Sequence, residues 1–332
     1  MAAVTGTSSS YSVGSGGGNR EDLEDTIHEL FADENYFSSN FDKVDAGATL
    51  HEWLGDELDP PGSNINIEGD DAAFATIVNP ARYSNYTQIV KKTFIISGTQ
   101  ETVKKAGRKS EIGRQAVKKM REAANDLEWA IARNQAGTAG GTGTGRAFAS
   151  IETWIGATTA GQAATQVVLA TSTASATTPP IASGTPGTAP NDGSTTAALT
   201  EADLRLALES NYNQGATTDV IVVNSTAKNY INNFTGVATR NVDVGRTQQA
   251  SITGAADLYV SNYGVHKVIL HRHVRSSVAL CLDSSLWAVG NLRGWMTEPL
   301  AKTGDAEKRQ ILCEKTLVCR NPRGNSKVVA IG

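Results

Sequence analysis

Cysteine is scarce in this chain: Cys281, Cys313 and Cys319 are the three, with no CxxC pair among them. That argues against a disulfide framework and for folding in a reducing compartment. No run of about 18 apolar residues occurs, so no membrane-spanning helix and no membrane partner are expected. The opening MAAVTGTSSSYSVGSGGGNR lacks a basic segment followed by an apolar one, and no secretory signal is read there. Catalytic signatures are missing too. There is no GxSxG, HExxH or DxDxDG, and acid pairs such as Asp70-Asp71 and Glu21-Asp22 fall where acids are so dense that pairs arise by chance. Gly137–Gly145 is glycine-rich, but a phosphate loop needs GxxxxGK[ST] between strand and helix. This stretch follows a helix, lacks the Lys-Ser/Thr, and reads as a flexible linker. His266, His271 and His273 lie near Cys281 in sequence, and in a strand His271 and His273 would project to one side as two metal ligands do. A third and fourth ligand have no clear spacing, and Arg272 and Arg275 would repel a cation, so ordinary strand histidines are expected. No catalytic, cofactor-binding or metal residue is assigned, no cofactor is expected, and the chain is not read as an enzyme.

What is present is charge of uneven distribution. The net charge is −4, yet residues 1–71 hold 16 Asp/Glu against two Lys/Arg (Arg20 and Lys43), a net of −14. The remaining 18 acids and 28 bases give +10. An acidic arm on a basic body predicts contact between them, within a chain or between neighbours; a merely solvated acidic surface fits the same pattern.

The 332 residues allow one large or two ordinary domains. Residues 1–20, rich in Gly, Ser and Thr, are expected to be flexible. Leu23, Ile27, Leu30 and Phe31 fall at helical spacing, and Pro60-Pro61-Gly62 marks a break. Ala72–Val78 and Thr87–Ser97 read as strands, with turn-forming Asn79-Pro80 and Ser84-Asn85 between them, and together predict a two-stranded arm. In the second strand Val90, Phe94 and Ile96 share one face while Ile89 and Ile95 share the other. Such a ribbon needs a packing partner on both sides.

After Gly107 the spacing predicts one long basic helix over 110–134, roughly 37 Å at about 1.5 Å per residue. Ile112, Ala116, Met120, Ala123, Leu127 and Ala130/Ile131 form its apolar stripe, with Arg114, Lys118, Lys119 and Arg121 on other faces and Gly137 as its stop. Those bases suit DNA phosphates or the acidic arm of a neighbour. A short element is read near Phe148–Ile155, and 157–197 is a Thr/Ala/Pro-rich insertion or flexible loop. Beyond it the pattern turns to α+β. Thr200-x-x-Asp203 is a capping box, Asp219–Val223 a strand, and Ser225 or Thr226 caps a helix with Ala227, Tyr230, Ile231 and Phe234 on one face. Short strands follow at Leu258–Val260, Val265–His271, Val278–Leu282, Ala288–Val289, Ile311–Cys319 and Val328–Ile331.

Several short words occur in order along the chain. They are His51-Glu52-Trp53 with Asp56 and Leu58, Glu68-Gly69, Asn85-Tyr-Thr-Gln-Ile89, Ser97-Gly-Thr-Gln100, Gly107, Glu111, Gln115 and Asn125-Asp126-Leu-Glu128. A second block runs from Leu300-Ala-Lys-Thr-Gly-Asp305 through Glu314-Lys-Thr-Leu317 to Asn321-Pro322. In these words, about a third of the chain, it resembles the major capsid proteins of tailed bacteriophages. The resemblance implies a Hong Kong 97-type α+β fold: an N-terminal arm over 1–50, an extended loop over 51–106, and a spine helix with peripheral domain over 107–156. It further implies an axial domain over 198–275 and return strands of the peripheral domain over 276–332, while the low-complexity insertion or loop at 157–197 departs from the family pattern. The implied function is self-assembly into hexamers and pentamers of an icosahedral head shell that encloses double-stranded DNA. Implied partners are copies of the chain, the portal, separate scaffolding or decoration proteins, and DNA by non-specific contact. The implied location is the virion, after assembly in the host cytoplasm. The Thr/Ser/Gly-rich segment keeps a second reading open, a phage or cell-surface decoration or adhesin module.

Overall fold

A computed structural model describes residues 35–332 apart from 57, 59–60, 70, 72–73, 75, 78, 106, 157–166, 170–174, 177–182, 190–195 and 235–257. The stretch 1–20 and the helix expected at Leu23–Phe31 lie outside the described residues. The elements run α1 (Tyr36–Asn40), β1 (Asp42–Asp45), β2 (Leu50–Gly55), β3 (Ala81–Tyr86), β4 (Gln88–Ser97), α2 (Gly98–Thr102), α3 (Glu111–Ala132), α4 (Ile151–Ile155), β5 (Val167–Leu169) and β6 (Ser175–Ala176). They continue with α5 (Glu201–Asn213), β7 (Val220–Val223), α6 (Ser225–Asn232), β8 (Leu258–Ser261), β9 (Gly264–Leu270), β10 (Ala279–Leu282), β11 (Trp287–Pro299), β12 (Ala306–Cys319) and β13 (Ser326–Val329). Helix and sheet are mixed, as the sequence led one to expect.

One sheet has the order β6-β5-β13-β10-β7-β9-β8. Its central strands, VIVV in β7 and ALCL in β10, are buried at every position. A strand covered on both faces reads as a continuous apolar run, and alternation then divides it between two cores. Val220, Val222, Leu280 and Leu282 join a core shared with α3, α4, β11 and β12. Ile221, Val223, Ala279 and Cys281 join the other, beneath α5 and α6. Helix α5 starts at the expected capping box: Thr200 Oγ1 accepts from Asp203 N, and Asp203 Oδ2 accepts from Thr200 N at 3.1 Å. Helix α6 is capped one residue earlier than expected. The Asn224 carboxamide accepts from Ser225 N at 2.6 Å and donates to Val274 O at 2.8 Å. Part of the segment expected to be a flexible loop also belongs to this sheet. β5 pairs parallel to β13, and β6 pairs antiparallel to β5.

The other large sheet has the order β1-β11-β12-β4. This corrects the expected two-stranded arm. β4 pairs along its whole length with β12, from Ala306↔Ser97 to Lys315↔Gln88. Phe74, Thr76 and Ile77 of the expected first strand carry no strand, and Ala72, Ala73, Ala75 and Val78 lie outside the described residues. Ser84-Asn85, read as a turn, instead lies inside β3, which pairs with β2 in a separate ribbon. Turn propensity lost there to burial: Asn85 is fully enclosed and Tyr83 nearly so. β11 is far longer than the expected Ala288–Val289. Gly290 inside it is required by packing, since Thr316 Cγ2 lies 2.6 Å from where a Cβ would stand.

The long helix α3 starts where the sequence placed it. Ser110 Oγ accepts from Gly113 N at 3.1 Å. It ends at Ala132, with Arg133 extended, so Gly137 is not its stop. Only the second half of the stripe is covered: Ala123, Leu127, Ala130 and Ile131 are buried, whereas Met120 is 40% exposed. Helix α4 is buried at every residue and carries Trp154 with no exposed surface. Its Glu152 carboxylate accepts from Arg275 Nε at 2.8 Å and is also paired with Nη2. Lys327 of β13, itself fully buried, donates to the Glu152 carbonyl at 3.2 Å. These bonds tie α4 to both sheet-side elements around it. Removing one partner of a buried ion pair strands the other, at a cost of about 3 kcal/mol or more. Glu152→Ala is therefore expected to lower unfolding free energy by roughly that amount in a denaturant titration, against under about 0.5 kcal/mol for Glu209→Ala on the exposed side of α5.

Candidate functional site

The ribbon β2–β3 is fixed at its base by aromatics. Alternation turns His51 and Trp53 inward and Glu52 and Leu54 outward. Trp53 stacks within 5.5 Å of Trp154 and 6.4 Å of Tyr83, and its indole N–H donates to Cys319 O at 2.9 Å. Gly55 makes room for Tyr83, whose ring carbon lies 2.7 Å from the position a Cβ would take. Beyond the last pair, Gly55↔Ala81, the described residues of 56–80 are all exposed. They include Leu58 at 98%, Ile65 at 89%, Ile67 at 80%, Phe74 at 96% and Ile77 at 88%. Single exposed apolar side chains are ordinary; five along one connection make it a candidate interaction surface.

Beneath the ribbon lies a polar junction built from the word Asn85-Tyr-Thr-Gln-Ile89. Asn85 accepts from Ala149 N at 2.8 Å and donates to Leu317 O at 2.6 Å. Thr87 Oγ1 donates to Glu314 at 2.8 Å, and Gln88 Oε1 accepts from Gln135 Nε2 at 2.7 Å. The buried Glu314 also takes Arg146 at 2.5 Å and Arg293 at 3.0 Å. Arg146 reaches it from the glycine-rich stretch, which corrects the flexible-linker reading. Thr138 and Ala147 exchange backbone bonds at 2.8 and 3.1 Å, and the turn between them uses Gly140 and Gly143 at positive φ.

Two carboxylates organise α3. Glu128, fully buried, accepts from Phe37 N at 2.5 Å and Ser38 N at 3.0 Å, and so caps α1 from outside the helix. His271 contacts the same carboxylate through Nε2 at 3.2 Å, while its Nδ1 accepts from His273 N at 3.2 Å. That pattern places the ring proton on Nε2. His266 stands apart, with Nδ1 on Thr218 O at 2.8 Å and Nε2 against Ser261 Oγ at 2.7 Å. Burial lowers its pKa below the usual 6.5. The three histidines thus do not converge. Among the described residues no group of three or more His, Cys, Asp or Glu could hold a metal ion. The three cysteines are buried and separate, and burial pushes Cys281 up to about 12 and Cys313 up to about 11.

At the other end of α3, Glu101 of α2 accepts from the first helical amides, Glu111 N at 2.9 Å and Ile112 N at 3.4 Å. Gly98, one turn earlier, is crowded by Asp305, so the words Ser97-Gly-Thr-Gln and Leu300–Asp305 meet in space. The Glu111 carboxyl is held down to about 2, first by its hydrogen bond to Arg114, then by Gln115 and Arg108, against burial that raises it.

A family model described as SU10 major capsid protein matches residues 3–331. The chain belongs to that family. It is a major capsid protein of tailed phage, a building unit of the virion's head shell. Family membership therefore sets aside the reading as a decoration or adhesin module. A search of curated proteins finds no match. Among solved structures, the capsid protein is similar to the cyanophage A-1(L) capsid asymmetric unit at 12% identity, covering 94% of this chain and 97% of that one with a TM-score of 0.64. Its likeness to Mycobacterium phage Bobi is 12% identical over 95% and 96% of the two chains, with a TM-score of 0.59. That to the Phage G gp27 major capsid proteins and gp26 decoration proteins is 12% identical over 100% of both, with a TM-score of 0.56. At such identity the likeness speaks to the fold.

Because the Glu111 carboxyl is depressed from 4.5 to about 2, its contribution to stability is present above about pH 4.5 and lost as pH falls through about 2. Acid titration of unfolding stability should therefore show a steeper decline between those values in the capsid protein than in Glu111→Gln.

Proposed function

We propose that this capsid protein assembles with copies of itself into hexamers and pentamers of an icosahedral shell around double-stranded DNA, on a Hong Kong 97-type layout. In this reading residues 1–50 are the N-terminal arm. The ribbon β2–β3 with its connection 56–80 is the extended loop. Helix α3 is the spine, and it forms a peripheral domain with the four-stranded sheet. The seven-stranded sheet with α5 and α6 is the axial domain. β10 and β13 lie in that sheet beside β7. In this reading β10 and, next to it, β13 go with the axial domain, and the return strands of the peripheral domain are β11 and β12. Copies of the chain are the principal partner. Portal, scaffolding or decoration proteins and packaged DNA are further partners, assembly takes place in the host cytoplasm, and no reaction is catalysed.

One observation supports the reading: Leu58, Ile65, Ile67, Phe74 and Ile77 stand exposed on the connection that follows a ribbon whose base is locked by Trp53, Tyr83 and Trp154. A rigid base fixes the root from which these side chains anchor to a neighbouring subunit. Leu58→Asp combined with Phe74→Asp should leave unfolding free energy within about 0.5 kcal/mol, since both side chains are solvated in the free subunit. The same protein should form no shells by electron microscopy under conditions where the parent does. Normal shells from the double variant would sink the assignment of this connection as the anchor.

A further inference from the structure

The first half of α3 carries an exposed apolar stripe inside a strongly basic surface. Val117 is 55% exposed and Met120 40%. Residues 104–121 hold eight Lys/Arg (Lys104, Lys105, Arg108, Lys109, Arg114, Lys118, Lys119, Arg121); Glu111 takes Arg108 and Arg114, and Glu101 and Glu122 take Lys105 and Lys119, which leaves a net positive surface. Among the described residues α1 packs on α3 only further along, where Glu128 caps it. The chain preceding Asn35 therefore starts beside this helix.

The sequence of that preceding segment complements the surface. Residues 21–34 contain seven acids (Glu21, Asp22, Glu24, Asp25, Glu29, Asp33, Glu34) and no Lys or Arg. Leu23, Ile27, Leu30 and Phe31 stand at i, i+4, i+7 and i+8, an apolar stripe at helical spacing. The lengths agree. Met120 and Val117 lie about 12 and about 17 Å along α3 from Glu128, at 1.5 Å per residue. The residues between Phe31 and Asn35 reach about 10 Å when extended, and a helix over Leu23–Phe31 adds about 12 Å.

We infer that residues 21–34 dock as an amphipathic helix along the first half of α3 of their own chain. Leu23, Ile27, Leu30 and Phe31 cover Val117 and Met120, and the acids face Arg114, Lys118 and Arg121. Tethering at Asn35 raises the local concentration of the segment, which favours its own helix over a neighbour's. Duplex DNA also suits a basic surface, but DNA offers nothing to the apolar stripe, whereas this segment matches both features. The inference stands on the subunit alone and does not depend on shell formation.

The test uses full-length, unassembled subunits free of DNA, with Val117→Cys as a probe. Cys281, Cys313 and Cys319 are buried, so they form a slow background to a chromogenic thiol reagent. The new thiol should react about ten-fold more slowly than in the same chain carrying Leu23→Asp and Ile27→Asp. High salt should raise its rate, and dilution should not. Met120→Cys should behave alike, which guards against a local effect of one probe. Equal rates with and without the Asp substitutions would overturn the inference. So would protection that scales with protein concentration, which would assign the surface to a second copy, or protection that appears only on adding duplex DNA.

Discussion

Strand β12 is the constraint on which the rest of the capsid protein depends. Its fourteen residues pair with β11 on one side and β4 on the other. Its free groups then do the joining. Glu314 gathers Thr87, Arg146 and Arg293, the Leu317 carbonyl receives Asn85, and the Cys319 carbonyl receives Trp53. Each bond satisfies a group that would be costly to bury alone. The ribbon is thus tied to β12 as well as to Trp154 and Ala149, which makes its direction a property of the core.

The two sheets are coupled by a different device. β7 and β10 have no solvent face, so each contributes alternate residues to two cores. A change of one methylene in these strands is felt on both sides, because close-packed interiors relax little. Buried polar pairs supplement this packing where the two units meet. Glu152 with Arg275 holds α4 to the turn after β9, and Glu128 with the amides of Phe37 and Ser38 holds α1 to α3. Polar groups so enclosed define one arrangement, because any other leaves them unsatisfied.

Much of this was legible in the sequence where one local signal decides the outcome. The capping box at Thr200 and Asp203, the apolar periodicity of α3 and the apolar run of β7 are such signals. The misreadings share a cause, which is that long-range contacts overrode local propensity. Ser84-Asn85 has turn chemistry, yet Asn85 finds its partners at Ala149 and Leu317, far along the chain. Gly290 would pass for a strand breaker, yet the close approach of Thr316 demands it. The glycine-rich stretch before Arg146 lacks any packing signal of its own, and its order comes from Glu314. The words that carried the family resemblance are largely these joints. Their chemistry is invisible in one dimension because each bonds to a residue outside its own word.

The glycine at the ribbon's end has a mechanical meaning. Gly55 lets the Tyr83 ring lie against the last strand pair, so the ribbon is clamped up to that pair. A lever clamped at its root bends only past the clamp. What lies up to the Gly55–Ala81 pair therefore moves with the body of the subunit.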